Sequence, residues 1–240
     1  MAKVFIITGA SRGIGLAIAE YLLKAQLNVV VVARSAAPLQ ELASRSPNQI
    51  EAIAGDLEDY GTAKRATDAA ISRWGRLDGL VLNHGVLEPV TRVANSTGLE
   101  WEKGFKIKEA LPHLRKAKGR IVLTSSGAAV GNYATWGAYG ASKAALNHLG
   151  ATVASEEPDV TTISIRPGVV DTQMQQELRD EHLTKMNPED GAKFATLKKD
   201  GQLLKPEQPG NVMARLVMDA TNDLSGKFLS WDDESLSTYQ

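Results

Sequence analysis

The chain has 240 residues, of which 43% are hydrophobic, and a formal net charge of −1. That length suits one well-buried domain spanning residues 1–240, and the near-zero charge offers nucleic acid or an anionic membrane no field to respond to. There are no cysteines, which excludes disulfides, zinc–thiolate sites and cysteine nucleophiles.

The first apolar run, Lys3 to Gly9, reads as a buried strand closed by glycine, and it is too short for a signal peptide or a membrane span. A soluble, cytoplasmic protein is therefore expected. Gly13 to Ala25 has helical spacing, Asn28 to Ala33 is a β-branched strand, and Pro38 to Arg45 is a short helix. Gln49 to Ala54 is a third strand, Asp59 to Trp74 a helix, and Leu77 to Leu82 a fourth strand. The basic run from His113 to Arg120 reads as the cationic end of a helix before the strand Arg120 to Thr124. Ala138 to Glu156 is a long helix, Val160 to Ile165 a sixth strand, and Phe228 begins a seventh. Strands that are apolar throughout and alternate with helices predict an α/β fold, a doubly wound parallel sheet of the Rossmann-like kind. Its ligands bind at the carboxyl ends of the strands. His84, His113, His148 and His182 are scattered without metal-ligand spacing, so no metal is expected.

The first strand–helix junction reads Thr8-Gly9-Ala10-Ser11-Arg12-Gly13-Ile14-Gly15. Glycines there let the backbone approach a phosphate, and the helix start offers free N–H groups. This predicts a dinucleotide site. An NAD site usually ends its second strand in a carboxylate; here the place holds Arg34, and Arg12 lies in the glycine loop. Two guanidiniums suit a 2′-phosphate, which favours NADP(H). Asp56 and Leu57 follow the third strand at the adenine end, and Asn83 and Gly85 follow the fourth beneath the cofactor. Ser125 and Ser126 follow the fifth strand. Tyr139 and Lys143, four apart, share a helix face that opens from the same edge. An ammonium beside a phenol favours the phenolate and lowers its pKa, which suits a proton donor to a carbonyl oxygen.

Taken together, the glycine loop, the Asn83 turn, Ser125-Ser126, Tyr139-Gly-Ala-Ser-Lys143 and Arg166-Pro-Gly-Val-Val-Asp-Thr172 resemble the classical short-chain dehydrogenase/reductase family over essentially the whole chain. The resemblance implies that Ser126 is the catalytic serine, Tyr139 the general acid and Lys143 its partner. It also implies that Pro167, Gly168, Val170 and Thr172 line the nicotinamide. Residues from Gln173 to Gln208, with Met174, Leu178, Leu183, Met186, Phe194 and Leu197 at amphipathic spacing, read as a lid over an apolar pocket. Trp136 and Met174 are expected to face the substrate. The pattern around Trp136 and Ser225-Gly-Lys-Phe is similar to the sepiapterin reductase and benzil reductase branch, particularly its fungal members. In the pterin reductases an aspartate holds the substrate; Ser230 stands at that place here, with Asp232 near. The resemblance thus implies an NADPH-dependent reductase of an aromatic ketone or α-diketone. A pterin substrate and an NADP(H)-binding protein that no longer turns over are the competing readings.

Two departures stand out. Leu82-Asn83-His84-Gly85 replaces the family's Asn-Asn-Ala-Gly. Between Asn83 and Ser126 the chain lacks about ten residues, roughly three helical turns. Thr97 to Glu100 reads as a capping box, Trp101 starts the helix, and Lys108 onward is its far end. In the family this helix carries an asparagine of the proton relay and packs across a homodimer interface, so the shortening bears on both.

Overall fold

The structure is a computed structural model and describes residues 2–85 and 107–240. The expected capping box and the helix start at Trp101 fall outside the described residues. Among the described residues, seven strands form one sheet in the order β3-β2-β1-β4-β5-β6-β7, every neighbouring pair parallel. They are β1 (Val4–Thr8), β2 (Asn28–Ala33), β3 (Ile50–Ala54), β4 (Gly79–Leu82), β5 (Arg120–Thr124), β6 (Thr161–Arg166) and β7 (Phe228–Ser230). The predicted doubly wound sheet is what the chain forms.

Alternation along the strands divides the core in two. Phe5, Ile7, Val29 and Val31 face α1 (Gly13–Lys24), α2 (Ala36–Arg45) and α8 (Glu207–Asp219) through Ile18, Leu22, Leu39, Met213 and Leu216. Val4, Ile6, Val30 and Val32 face α3 (Tyr60–Trp74), α4 (Leu111–Ala117) and α5 (Gly137–Glu156) through Ala66, Ala70, Leu114, Leu146 and Val153. Both faces are covered, which is why the strands need no polar side. Helix α4 ends on Arg115 and Lys116, the cationic end expected from the basic run.

Helix α8 has no counterpart among the expected elements. Pro209 and Gly210 near its start read as helix breakers, yet proline is tolerated in the first turn, where its missing N–H is not needed. Gly210 has a packing reason: a Cβ there would lie 3.0 Å from the Cβ of Ala17, so glycine sets how closely α8 approaches α1. The segment after β6 is helical as expected but broken. It runs as α6 (Gln173–Glu177), a π-helical turn (Leu178–His182), a 3-10 turn (Leu183–Lys185) and α7 (Pro188–Lys199). Leu178, Met186 and Phe194 are buried against Ala128 and Trp136 in a separate apolar cluster.

Strand order reverses between β1 and β4, the switch point where doubly wound sheets hold ligands. The loops after β1, β2, β4, β5 and β6 all open on that edge, and they carry the candidate residues.

Candidate active site

At the first junction, the backbone N–H groups of Gly9 and Ala10 donate to Val32 O at 2.8 and 3.2 Å. This ties the turn to β2. Arg12 precedes α1 with extended backbone, and no side chain caps the helix. The free N–H groups of α1 are therefore left for an external acceptor. A Cβ on Gly15 would lie 2.3 Å from Gly9 O and 2.6 Å from Asn83 Nδ2, so only glycine fits. Arg12 and Arg34 are exposed. Asp56 is exposed as well, and its carboxylate accepts from Glu58 N at 2.9 Å. Leu57 lies with Thr8, Val32 and His84 around a small void under the sheet edge.

A chain of hydrogen bonds then crosses the switch point. Thr8 Oγ1 donates to Val81 O at 3.1 Å and accepts from Asn83 N at 2.9 Å. Asn83 Nδ2 donates to Thr8 O at 3.2 Å and Gly9 O at 3.4 Å. Thr124 Oγ1 donates to Asn83 Oδ1 at 3.3 Å, and Lys143 Nζ donates to Thr124 O at 2.8 Å. Asn83 thus braces the glycine loop and connects it to Lys143. A Cβ on Gly85 would lie 3.4 Å from Lys143 Nζ, which places Gly85 beside the ammonium. Burial holds the Lys143 pKa down to about 8.

His84 has a role that its sequence gave no sign of. Its Nδ1 lies 2.9 Å from Thr8 Oγ1. Thr8 Oγ1 also accepts from the backbone N–H of His84 at 3.3 Å, so His84 is tied twice to the end of β1. Burial, and next the Lys143 ammonium, lower the His84 pKa to about 4, which keeps the ring neutral.

Tyr139 lies in the first turn of α5, and Lys143 Nζ is 5.9 Å from its ring centroid. The two share a face, as the spacing predicts. The expected direction of the tyrosine pKa is not observed. Burial raises it, and the hydrogen bond with Ser126 only partly offsets that rise. The Lys143 ammonium is committed to Thr124 O instead, so Tyr139 is held as a protonated phenol. Of the two serines, Ser126 meets the tyrosine. Its Oγ also accepts from Ala128 N at 3.2 Å, whereas Ser125 Oγ is buried without a hydrogen-bond partner.

Around Tyr139 stands a group of rings. Trp136 meets it edge-on with centroids 5.6 Å apart, and Trp136 lies 5.0 Å from Tyr133 and 5.3 Å from Phe194. Met174 packs on the same cluster. Trp136 is itself only 7% exposed, so it supports the Tyr139 ring from within the apolar cluster. Thr135, just before it, has a left-handed backbone with φ 69°, a strained conformation for a β-branched residue.

The loop after β6 completes the edge. Pro167 is buried, and Gly168 is exposed on the turn that follows it. Val170 bridges to Leu204, and Asp171 N donates to Leu204 O at 2.8 Å, which fastens the two ends of the lid together. Thr172 caps α6 by accepting from Gln175 N at 3.4 Å, and its methyl lies 3.2 Å from where a Cβ of Gly13 would be. Gly13, at the start of α1, therefore lies directly beside the loop after β6. Among the described residues no group of three His, Asp or Glu side chains is placed to hold a metal, and no helix is long and apolar enough to cross a membrane.

Comparison with known proteins agrees with this geometry. The family described as short chain dehydrogenase matches residues 3–183. An uncharacterized oxidoreductase of Schizosaccharomyces pombe is 41% identical, the alignment covering 95% of this chain and 96% of the relative. A benzil reductase ((S)-benzoin forming) of Saccharomyces cerevisiae is 38% identical over the full length of both. That alignment runs over 262 residues, so the relative has residues with no counterpart here. The crystal structure of a short chain dehydrogenase/reductase from Saccharomyces cerevisiae superposes with a TM-score of 0.96 at 36% identity, with full coverage of both chains. With the sheet, the glycine junction and these full-length likenesses in agreement, this protein belongs to the short chain dehydrogenase family, oxidoreductases that work with a nicotinamide cofactor.

Proposed function

We propose that the protein is an NADPH-dependent reductase of aromatic ketones and α-diketones of the benzil type, with Tyr139 as the proton donor. The observation that carries this reading is a partly buried tyrosine packed among aromatic rings, hydrogen-bonded to Ser126 and standing on the same sheet edge as the glycine loop. The residues fit a dinucleotide. Glycine at position 15 lets α1 begin against Gly9 and Asn83, the start of α1 is uncapped, and Arg34 stands where an NAD site has a carboxylate. Arg12 and Arg34 would hold the 2′-phosphate, and Asp56 and Leu57 the adenine end. Asn83, Gly85, Pro167, Gly168, Val170 and Thr172 would frame the nicotinamide.

When bound, the nicotinamide supplies the hydride for the carbonyl carbon. Tyr139 gives its proton to the carbonyl oxygen, and the Ser126 hydroxyl holds that oxygen by a hydrogen bond. The ammonium of Lys143 stabilises the phenolate left behind. Tyr133, which is partly exposed, would offer a ring face to an aromatic substrate, and the buried Trp136 and Phe194 back it. The likeness to the yeast benzil reductase supports this substrate class.

The test is NADPH oxidation with benzil, followed by absorbance, on the wild type and on Tyr139→Phe. The expected result is turnover in the wild type and a loss of about 10²–10⁴-fold in the variant. The same experiment decides the competing reading, which the short chain favours: a wild type that binds NADPH but reduces neither benzil nor other activated ketones is a cofactor-binding protein without a working relay.

A further inference from the structure

One cation on the cofactor edge is used by neither the sheet nor the proton transfer. Arg179 lies on the π-helical turn of the lid, with its side chain 14% exposed. Its nearest carboxylate oxygen is Asp171 Oδ1, at 4.0 Å, and the other oxygen of Asp171 is held by Lys198 at 2.8 Å. Arg179 Nη1 is buried and has no hydrogen-bond partner. A guanidinium stays charged at any working pH and presents five donors in a fixed fork. Leaving one of them buried and unpaired is unfavourable and calls for a partner.

The surroundings say which partner. Arg179 lines a cleft of about 780 Å³ with Arg12, Gly13, Thr172 and Lys198, and the carboxylates of Asp171 and Asp180 line it too, so three cations stand against two anions there. Arg12 and Gly13 are the uncapped start of α1, so the cleft runs from the lid to the helix end that faces phosphate. Arg34 is not among the residues that line it. We propose that Arg179 is a phosphate ligand that closes from the lid onto the pyrophosphate of the bound dinucleotide, opposite the start of α1. The assignment rests on the dinucleotide reading above. It also links the two halves of the site. Leu178, one residue away, is fully buried in the cluster with Trp136 and Phe194. A phosphate gripped by Arg179 therefore holds the lid down over Tyr139.

The experiment is a fluorescence titration of the full chain with NADPH and with NADH at two salt concentrations, on the wild type, Arg179→Gln, Arg179→Lys and Asp171→Asn. A pyrophosphate ligand serves both dinucleotides, so Arg179→Gln should weaken both by about tenfold and flatten the salt dependence. Arg179→Lys should recover part of the loss, and Asp171→Asn should lose nothing. NADPH should slow tryptic cleavage between Lys185 and Lys199 in the wild type and not in Arg179→Gln. The assignment is overturned if Arg179→Gln binds both dinucleotides as the wild type does. A loss confined to NADPH would overturn it too, by placing Arg179 at the 2′-phosphate. So would an equal loss in Asp171→Asn, which would make the effect one of lid packing. A wild type that binds neither dinucleotide sinks the cofactor reading itself, a result distinct from the other three. If Arg179→Gln melts early, Arg179→Lys carries the comparison.

Discussion

The two sides of the candidate site are held by different forces. On the sheet side, Thr8, Asn83, Thr124 and Lys143 pass hydrogen bonds of 2.8 to 3.4 Å from β1 to β4, β5 and α5. Thr8, Asn83 and Thr124 sit at or just after the ends of strands whose register is set by parallel pairing, and Lys143 reaches them from α5. On the lid side, apolar contact provides the hold, through Leu178, Met186 and Phe194. Gln175 Oε1, Arg179 Nη1 and His182 Nε2 are buried there without hydrogen-bond partners. The proposed proton donor and its supports are thus held by directed bonds, while the proposed lid is held mainly by apolar contact.

The sharpest way to break that contrast is a pair of truncations. Ile163→Ala empties a fully buried position in β6 and should lower global stability by about 2–5 kcal/mol in urea unfolding. Phe194→Ala removes a ring buried almost as well, 3% exposed, but from the lid. It should leave the global midpoint within about 1 kcal/mol of wild type, because local opening does not need the sheet to unfold. Trypsin should cut faster at Lys193 and Lys198, and KM for benzil should rise more than kcat falls. Equal losses of global stability in the two variants would mean that the lid folds as one unit with the sheet.

A smaller effect sharpens the sheet side. The Lys143 pKa is about 8 in the fold, against an ordinary value of 10.5. Between those values the folded chain binds fewer protons than the unfolded one, so stability rises with pH across this window. The buried charge is therefore a burden that is complete below pH 8 and disappears as pH climbs toward 10.5. Lys143→Met removes it. Set against the lost bond to Thr124 O, the variant should be more stable than wild type at pH 7, by on the order of 1–2 kcal/mol. The advantage should fade toward pH 10, and reductase activity should be lost throughout. A Met variant that is less stable at pH 7 would show that the bond to Thr124 outweighs the desolvation of the ammonium.

Most of the sheet was legible in the sequence because its signals are local. Asn28 to Ala33 is β-branched and apolar throughout, and it is a strand with those bounds. The glycine junction and the Tyr139–Lys143 spacing each occupy a few residues, and the structure brings them to one edge. What was not legible depends on partners distant in sequence. Helix α8 hides behind Pro209 and Gly210, and the reason for Gly210 is Ala17 in another helix. The pKa of Tyr139 is set by burial under residues such as Trp136 and by where Lys143 Nζ is bonded, and neither follows from a four-residue spacing. The π-helical turn that carries Arg179 lies in a stretch whose amphipathic spacing gives helices without showing where they break.

His84 is the extreme case, since its partner Thr8 is 76 residues away, and it gives the smallest and most specific prediction. Its pKa is about 4 in the fold, against 6.5 for an ordinary histidine. Between those values the folded chain again binds fewer protons than the unfolded one. The neutral ring therefore contributes fully above pH 6.5, and its contribution is lost as pH falls toward 4. His84→Asn keeps a donor near Thr8 and cannot titrate. At pH 7 it should be less stable than wild type by about 1 kcal/mol, the worth of one imperfectly replaced hydrogen bond. As pH drops from 6.5 to 4 the wild type should lose stability faster, so the two denaturation midpoints should converge and then cross. Carboxylates titrating in the same range are common to both chains and cancel in the difference. Parallel curves would mean that protonated His84 turns away from Thr8 at no cost, and that the sheet side of the site is held by Asn83 without it.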